Sequence, residues 1–523
     1  MLNHSTRRWL AGLGVVGAFV AASATPAAAK KPAVELGLYM TDTTIASGSE
    51  GKTESPTLSA SEPVVVHGLT VRYDFRDLTD KVTVAPEIRS ECDSSDAGIL
   101  VCQDPFEVGL DEWGLAGLFA VTIKPTSEAT DGDSGDLKVT VSAEGMTPAS
   151  HTATVKIGEG VDLAGGTEVN LTTSPGSSFT APLVLGNVGE STVKGAVAVF
   201  DHDHAIRTGK RYSNCTYEGD QLRVCRFTNE VASGETLTAT VQYVLGKDTY
   251  APGREHGYYQ WMTPSEFDDF VGHLDSGGHS IGKPGSDEPL VLTKKAPVKA
   301  GSFQADVDPE NNWSGMEITV TGKNGADLEA IGDKLTGKAG EVVTATVGVR
   351  NNGPASLDFG RSGSPVTKID VAVPKGATAV EVPESCVPLK DDQGDWEQPG
   401  KPGADAYRCY PDFFLAAGEK QTVDIGLKVD AVVPDATGTV VINAKCECEG
   451  FTEDTNPAND TAKILLNPTN GQGGGQGDGD DDGGSLPITG ESTTLIAGIG
   501  ALLLAAGVGG FVLARRRKTR FVA

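Results

Sequence analysis

Short runs in which apolar and polar residues alternate fill most of the chain between residues 34 and 466. Clear examples are residues 238–244 (TATVQYV), 344–349 and 439–444, all rich in valine, threonine or alanine. Alternation with a period of two places apolar side chains on one face of a β-strand, and the Gly, Pro, Asn and Asp residues between the runs favour turns. The pattern therefore predicts an all-β fold made of tandem β-sandwiches.

A set of landmarks occurs twice at matching offsets, which indicates repeated units. Residues 183–189 (LVLGNVG) correspond to residues 347–353 (VGVRNNG), and each stretch is followed by a cysteine pair and then by Gly-Glu. Residues 306–312 (DVDPENN) and 454–460 (DTNPAND) close the two units. An earlier cysteine pair indicates a first unit that fits less well. We therefore predict domains at residues 34–160, 161–322 and 323–467.

One segment departs from the β pattern. Thr263 is placed to cap a helix that begins at Pro264, and Glu266 completes the capping pattern. The apolar residues that follow have helical spacing: Phe267, Phe270, Val271 and Leu274. The predicted helix falls in a segment, about residues 246–300, for which we find no counterpart in the third unit. We interpret this segment as an insertion in the second unit.

The first residues have the composition of a targeting segment. Arg7 and Arg8 precede an apolar run, residues 9–20, and an Ala-Ala-Ala sequence ends at Ala29. This order is typical of a signal peptide, residues 1–29, that is removed after export. The arginine pair is compatible with general secretion, which we favour, or with the twin-arginine route.

The other end combines a sequence motif with a predicted membrane span. Residues 495–514 carry no charge, and four basic residues follow directly. A helix of that length spans ~30 Å, and the basic tail would hold the C-terminus in the cytoplasm. In front of this transmembrane helix stands the sequence Leu486-Pro487-Ile488-Thr489-Gly490. A permanent membrane anchor is the alternative interpretation.

The order of motif, apolar span and basic tail over residues 486–523 resembles the LPXTG sorting signal of Gram-positive surface proteins. The resemblance implies that a sortase cleaves between Thr489 and Gly490. It also implies that the Thr489 carboxyl group is then joined to a peptidoglycan precursor. The chain would therefore be bound to the membrane only as a precursor.

The repeated units resemble the Ig-like repeats of bacterial surface proteins over most of residues 165–466, and this implies tandem Ig-like β-sandwich domains. Cysteines of an exported chain are expected to form disulfides. The predicted pairs are Cys92–Cys102, Cys215–Cys225 and Cys386–Cys409. Cys446 and Cys448 remain, and a direct bond between them would be strained because both point to one side of a strand. An exchange of partners with the preceding pair stays open.

Acidic residues number 71 against 43 basic ones, which gives a formal net charge of −28. This excess argues against a nucleic-acid partner, because such proteins need a basic face to neutralise phosphates. The two targeting segments carry +2 and +4, so their removal would leave −34 on the mature protein. Residues 468–485 are rich in Gly and Asp and predict an extended, flexible linker.

Aromatic residues concentrate in the predicted insertion, with six of them between residues 250 and 270. Exposed rings at Tyr258, Tyr259 and Trp261 would stack on sugar rings, and the acidic residues of the helix would accept hydroxyl hydrogen bonds: Glu266, Asp268 and Asp269. The interpretation that we favour is that the rings dock the insertion onto its own sandwich.

Two further motifs resemble chemical sites. The sequence Asp201-His202-Asp203-His204 is similar to a metal cluster, but zinc needs three or four converging ligands, and we interpret it as a solvated strand end or loop. Residues 278–282 (GHSIG) match the Gly-x-Ser-x-Gly pattern of serine hydrolases around Ser280. That pattern needs a preceding strand, and the sequence predicts a helix there. We assign no catalytic residue, cofactor or metal.

The sequence thus predicts a secreted, wall-anchored and non-enzymatic display or adhesion stalk. Its partners would be a sortase and a peptidoglycan precursor, with an extracellular glycan or protein as a candidate ligand. Its alternative function is that of a wall-associated carbohydrate-binding module or hydrolase that uses the insertion of the second unit.

Overall fold

The computed structural model describes residues 34–88, 92–94, 96–276, 280–293, 304–358, 366–443, 451 and 453–469. These residues form β-sandwich units that follow one another along the chain. Several predicted features lie outside the described residues: the signal peptide, Cys446 and Cys448, almost all of the linker, the sorting motif and the helix at 495–514.

The strands of the first unit lie between residues 36 and 161. They are β1 (Leu36–Tyr39), β2 (Thr43–Ala46), β3 (Lys52–Glu54), β4 (Thr57–Ala60), β5 (Val64–Val66), β6 (Thr70–Asp74), β7 (Val82–Pro86), β8 (Cys92–Asp93), β9 (Ile99–Gln103), β10 (Val108–Leu110), β11 (Val121–Pro125), β12 (Ser134–Ser142) and β13 (Ala149–Val161). A 3₁₀ turn covers Arg76–Leu78.

The second unit contains the helix. Its elements are β14 (Leu163–Ala164), β15 (Val169–Thr173), β16 (Ser178–Asn187), β17 (Val193–His202), β18 (Ile206–Thr208), β19 (Cys215–Glu218), β20 (Gln221–Val231), β21 (Thr236–Leu245), β22 (Ala251–Met262), α1 (Pro264–Ser276), β23 (Lys283–Pro284), β24 (Gln304–Asp306), a 3₁₀ turn (Pro309–Asn311) and β25 (Trp313–Asn324).

The third unit repeats the plan of the second without an α-helix in its described residues. Its elements are β26 (Leu328–Ile331), β27 (Asp333–Leu335), β28 (Val342–Asn351), β29 (Leu357–Asp358), β30 (Ile369–Ala372), β31 (Ala377–Glu381), β32 (Cys386–Lys390), β33 (Gln393–Gly394), β34 (Ala406–Cys409), β35 (Phe414–Leu415), β36 (Lys420–Val429), β37 (Ala436–Ile442), a 3₁₀ turn (Pro457–Asn459) and β38 (Thr461–Leu466).

The larger sheets of the units have the same topology. Their strand orders are β2-β13-β12-β6-β9-β8, β15-β25-β22-β17-β20-β19 and β27-β38-β37-β30-β34-β32, with β23 and β33 extending the last two. In each of these orders the first strand runs parallel to the last strand of its unit, while the other neighbouring strands in the order are antiparallel. The all-β prediction is confirmed, and the first unit follows the shared order as closely as the others.

This correspondence changes the extent of the insertion. Strand β22 takes the same place in its sheet as β12 and β37 in theirs, so the segment Ala251–Met262 is part of the sandwich. The elements without a counterpart in the third unit, α1 and β24, come only after Met262. The sequence comparison placed the insertion too early because β37 lacks the aromatic residues that mark β22.

Each unit has an aliphatic core of its own, as the alternating pattern predicts. Along β21 every second side chain is buried, from Leu237 through Ala239, Val241 and Tyr243 to Leu245, while the threonines between them are exposed. The cores draw on residues 36–157, 161–320 and 326–464.

The repeated landmarks are equivalent turns. Buried Asn187 and Asn351 each use the side-chain amide to donate to two backbone carbonyls, and each accepts a hydrogen bond from a glycine N–H two residues later. The carboxylates of Asp306 and Asp454 accept hydrogen bonds from the backbone where each unit begins, at Leu163 (2.7 Å) and Leu328 (2.8 Å). The repeated motif therefore ties the last loop of a unit to its first strand.

The three predicted disulfides are present. Cys92–Cys102, Cys215–Cys225 and Cys386–Cys409 each join directly paired residues of neighbouring antiparallel strands. Their positions correspond in the three sheets, between β8 and β9, β19 and β20, and β32 and β34. Each disulfide thus fastens the strand near the edge of the larger sheet.

Replacing Cys386 and Cys409 with alanine is expected to lower the free energy of unfolding of the third unit by about 3 kcal/mol. The pair closes a sequence separation of 23 residues, and in the chain-entropy model a loop of that size is stabilised to this extent. Urea denaturation followed by circular dichroism measures the change. The Cys215–Cys225 pair, with a separation of 10, should contribute slightly less, and unchanged midpoints in both variants would contradict the expectation.

Candidate functional site: the junction of the first two units

Helix α1 begins with the predicted capping box. The Glu266 carboxylate accepts hydrogen bonds from the Thr263 backbone N–H (3.0 Å) and hydroxyl (2.9 Å), and the Glu266 N–H donates to the Thr263 hydroxyl oxygen (3.3 Å). The hydroxyl of Thr263 lies within 2.8 Å of the Gln304 carbonyl oxygen. These contacts satisfy groups at the helix start and attach it to β24.

One face of α1 packs on its own sandwich. Phe267 is fully buried in a small cluster with Val197 and Val199 of β17 and Val224 of β20. The guanidinium carbon of Arg226 lies 4.4 Å from the centre of the Phe267 ring. This apolar contact holds the helix on the outer face of the larger sheet, as the interpretation of docked rings predicts.

A second face of α1 binds the first unit. Glu266 pairs with Lys52 at 2.5 Å between Oε1 and Nζ, and one turn later Asp269 pairs with Lys156 at 2.7 Å. The other Asp269 oxygen accepts a hydrogen bond from the Thr44 hydroxyl at 2.6 Å. Residues at i and i+3 share a helix face, so both carboxylates meet the first unit together.

The same face continues to His273, seven residues after Glu266. Its Nδ1 lies 3.2 Å from the Thr41 hydroxyl, and its ring centre lies 5.7 Å from that of Tyr39. The first-unit partners of α1 therefore come from β1, β2, β3 and β13 and from the loop at Thr41. A helix that belongs to the second unit is held along its length by the first.

Strand β24 makes the connection through the backbone. It pairs in parallel with the end of β13, with Gln304 opposite Glu159 and Asp306 opposite Val161. The Gln304 side chain donates to the Glu159 carboxylate at 3.0 Å and accepts from the Lys194 N–H at 2.8 Å. A segment of the second unit thereby adds a strand to the sheet of the first.

Two carboxyl groups of this junction have strongly raised pKa values. Burial raises the pKa of Glu54 to about 7, against the opposing effects of Lys52 and the Thr43 hydroxyl. Burial also raises the pKa of Asp306 to about 7. Glu266, by contrast, has a lowered pKa, because its pairing with Lys52 and its hydrogen bonds outweigh burial. At pH 7 the junction therefore contains the charged Lys52–Glu266 pair, together with carboxyl groups at Glu54 and Asp306 that are partly protonated.

The junction is expected to be more stable at pH 5 than at pH 8. The folded protein binds more protons than the unfolded chain between the unfolded pKa of Glu54, 4.5, and its folded pKa of about 7, so stability falls as pH rises through this window. We expect a loss of about 1–2 kcal/mol, less than the full shift implies because Glu54 is partly exposed. Hydrogen exchange at β24, compared between pH 5 and pH 8, measures this loss of stability. Glu54→Gln should have a smaller pH dependence, and an equal slope would contradict the assignment.

The structure corrects the candidate ligand-binding residues. Trp261 is 0% exposed, and its indole N–H donates to the Val184 carbonyl at 2.7 Å. The Tyr259 hydroxyl accepts hydrogen bonds from the N–H groups of Gly166 and Val184, so this ring too is held within the sandwich. Of the three rings only Tyr258, 47% exposed, presents a substantial surface. A stacking platform of three rings is not formed.

Tyr258 and Tyr259 line a cleft together with Phe200, His202 and Met316. Among the described residues the lining includes no carboxylate, amide or cationic side chain. Recognition of sugar hydroxyls relies on several such groups, so this lining does not support a glycan site. Of the predicted hydroxyl acceptors, Glu266 and Asp269 bind lysines of the first unit, and Asp268 lies exposed near Arg226.

The histidines at 202 and 204 point to different surroundings. Burial lowers the pKa of His202 to about 3, and its ring packs against Phe200 and Tyr243. The His204 ring contacts Phe414 of the third unit, with 4.4 Å between ring centres. His202 is the last residue of β17 and is half-buried, so the strand end that the sequence predicts is present, but its ring is not fully solvated. Within the described residues, no group of three metal-ligating side chains converges.

Ser280 follows the helix instead of a strand. Its hydroxyl oxygen accepts a hydrogen bond from the Gly282 N–H at 3.1 Å, as in a local turn. Residues 277–279, which complete the Gly-x-Ser-x-Gly pattern, lie outside the described residues.

The functional residues that sequence reasoning missed are those of the first unit, above all Lys52, Glu54 and Lys156. Lys52 and Glu54 alternate on one strand face, and Glu266 and Asp269 share a helix face, so each half had a local pattern. Neither local pattern shows that these two faces meet, because they are more than 200 residues apart in the sequence.

The comparisons with known proteins bear on the end of the chain. Residues 480–519 match the family described as "LPXTG cell wall anchor motif". The protein is a secreted, cell-wall-attached surface protein. The match contains Leu486 to Gly490 and the predicted apolar span, and it confirms the resemblance to Gram-positive surface proteins and the extracellular location. Among the described residues, which exclude 495–514, no helix is long and apolar enough to cross a membrane.

Similar solved structures include tandem Ig domains. The I9-I11 tandem of titin aligns at 8% identity over 83% of this chain and 99% of its own, with a TM-score of 0.14. Dpr2 Ig1-Ig2 in complex with DIP-Theta Ig1-Ig3 aligns at 6% identity over the same shares, with a TM-score of 0.17. Escherichia coli alpha-2-macroglobulin activated by porcine elastase aligns at 14% identity and a TM-score of 0.14, over 83% of this chain.

The chain spans about a third of that alpha-2-macroglobulin chain. No curated protein matches the sequence significantly. The Ig-like description follows from the shared strand order of the larger sheets and from the parallel pairing of the second strand of each unit with its last strand.

Proposed function

We propose that this protein is a non-enzymatic display stalk that a sortase attaches covalently to peptidoglycan. The sortase would break the bond between Thr489 and Gly490, and the Thr489 carbonyl would form a new amide with an amino group of the peptidoglycan precursor. The observation that carries the proposal is the sorting signal, in which motif, apolar span and basic tail stand in the required order. The domains displayed would be residues 34–160, 161–322 and 323–467.

The junctions support the role of a stalk. Flexible tethers between domains allow relative motion, whereas here α1 and β24 bind the first unit through paired strands and buried ion pairs. The second and third units are also in contact, because Ser356 donates hydrogen bonds from its N–H and hydroxyl to Asp248 at 2.7 Å each. A chain of fixed units holds its outer end away from the wall.

A covalent link also agrees with the charge of the chain. Wall polymers are anionic, and a mature protein with a formal charge of −34 is repelled by them, so passive adhesion would be weak. The acidic linker at 468–485 would stay extended for the same reason.

Deletion of Leu486 to Gly490 tests the attachment. We expect the intact protein to migrate with peptidoglycan in cell fractionation, and the deleted form to remain in the membrane or to enter the medium. Wall attachment that persists without the motif would refute the proposal. A matched deletion of five residues within the linker, 473–477, should leave attachment unchanged.

The alternative of a carbohydrate-binding module or hydrolase in the insertion is not favoured by the geometry. Trp261 is enclosed, and two of the three predicted hydroxyl acceptors, Glu266 and Asp269, bind lysines of the first unit. The helix and β24 instead serve as a clamp between units.

A further inference from the structure

The first unit exposes two large aromatic side chains on either side of one short strand. Phe106 is 76% exposed and Trp113 is 77% exposed, and β10 lies between them. Exposed rings of this size have a cost in water and mark interaction sites when they occur together. Seven residues of extended chain cover at most ~25 Å, so both rings fit within one protein interface of standard size, which is about 30 Å across.

Both rings are presented by the same local structure. The Phe106 N–H donates to the Asp104 carboxylate at 2.8 Å, and the Trp113 N–H donates to the Asp111 carboxylate at 3.0 Å. In each case an aspartate two residues earlier forms an Asx turn that fixes the backbone of the aromatic residue. A backbone that is fixed before binding loses less conformational entropy when a partner docks.

The strand between the rings has one buried and one open face. Val108 and Leu110 are buried in the core of the first unit, whereas Gly109 between them has open space above it. Val65 of β5 is paired with Gly109 and is 57% exposed on that open face. We call the set Val65, Phe106, Gly109 and Trp113 the ribbon surface.

The charges around the ribbon surface are of one sign. Glu107 and Glu112 are exposed and adjacent in sequence to the two rings, and Asp104 and Asp111 lie in the same segment. Residues 103–118 and 57–68 contain five carboxylates and no lysine or arginine. The histidine at 67, 3.6 Å from the Glu107 carboxylate, is the nearest basic group in these segments.

The ribbon surface lies at the end of the first unit opposite to the pairing of β13 with β24. Strand β13 ends at the junction with Val161, and its first residue, Ala149, pairs with Val141. The next residue of β12, Ser142, pairs with Thr70 of β6, and Thr70 in turn pairs with Gln103 of β9. Gln103 therefore lies at the same end of the sheet as the start of β13. Phe106 follows three residues after Gln103. If the C-terminus is fixed to the wall, as the proposed function requires, this end points outward.

We propose that the ribbon surface is a docking site for a cationic protein partner that offers arginine or lysine beside apolar side chains. Guanidinium and ammonium groups would pair with the four carboxylates and would also stack on the faces of Phe106 and Trp113, while apolar side chains cover Val65. The proposal extends the proposed function by naming the partner class of the displayed end.

The test measures binding of labelled peptides to the complete chain purified in mild detergent, so its result does not depend on whether the wall link forms. The probe is a peptide of alternating arginine and leucine, and the comparison peptide alternates arginine and glycine with equal charge. We expect Phe106→Ala/Trp113→Ala to weaken binding of the first peptide at least tenfold. Binding of the second peptide should weaken by a smaller factor, because it loses only the stacking of its arginines on the two rings. Both residues are exposed, so folding should be retained.

Trp396→Ala is the matched control, because Trp396 is 65% exposed in the third unit. It should bind the arginine–leucine peptide as the unaltered chain does. Glu107→Lys/Glu112→Lys should also weaken that peptide at least tenfold and reduce the salt dependence of binding. Equal affinity for the double alanine variant and the unaltered chain would overturn the proposal. Saturable binding of an uncharged oligosaccharide that is lost in the double alanine variant would overturn it as well, since the partner would then be a glycan.

Discussion

Replacing Glu266 with alanine is expected to destabilise the junction of the first two units by about 3–5 kcal/mol. Glu266 is 9% exposed and accepts hydrogen bonds from Lys52, Thr263 and the Asp306 N–H. Its removal leaves the Lys52 ammonium group, 23% exposed, without its closest partner, and the cost of an unpaired buried charge is of this size. The helix start also loses its cap.

The measurement is hydrogen exchange along β24 and the end of β13, together with the radius of gyration in solution. We expect faster exchange at both strands and a larger radius, while the core of the third unit is unchanged. Asp275→Ala is the matched control, since Asp275 is an exposed carboxylate on the same helix, and its effect should stay within about 0.5 kcal/mol. Similar exchange in the two variants would show that the pair with Lys52 does not hold the junction.

Replacing Trp261 with alanine is expected to cost the second unit about 3–5 kcal/mol, which is the usual range for removing a fully buried tryptophan. The side chain packs against Phe227 and Tyr259, with 5.7 Å and 6.1 Å between ring centres. The Val184 carbonyl would also lose the indole N–H that donates to it. Thermal unfolding of the complete chain measures the effect as a lower transition temperature of the second unit.

Tyr258→Ala is the control for this variant, because Tyr258 is the neighbouring ring that remains exposed. A change within about 0.5 kcal/mol is expected for it. If Trp261→Ala left stability unchanged while Tyr258→Ala lowered it, the placement of these rings on the two faces of β22 would be wrong.

The fold could be predicted to a large extent because its determinants are local. The alternation along β21 identifies a half-buried strand, and Asn187 and Asn351 stand in matching contexts that mark equivalent turns. Cysteines at 215 and 225 lie across one hairpin, so their pairing follows from spacing in an exported chain. The capping box of α1 was predicted for the same reason, since its partners are three residues apart.

The candidate site could be predicted only in part because its contacts are not local. The aromatic cluster on β22 suggested an exposed binding face, yet alternation along a strand sends Trp261 and Tyr258 to opposite surroundings. The acidic residues of α1 looked like acceptors for a ligand, and their partners are Lys52 and Lys156 from another unit. Ion pairs between units depend on how the domains dock on each other. The periodicity of residues within one segment contains no information on that docking.

Mass spectrometry of the wall-bound protein tests the covalent anchor most directly. Cells are disrupted, the wall fraction is washed free of membrane and digested with a muramidase, and the released C-terminal peptides are sequenced. The account predicts a peptide that ends at Thr489 and carries the mass of a peptidoglycan fragment on its terminal carboxyl group. Wall-fraction peptides that continue through Gly490 into the apolar span, with no species modified at Thr489, would contradict it.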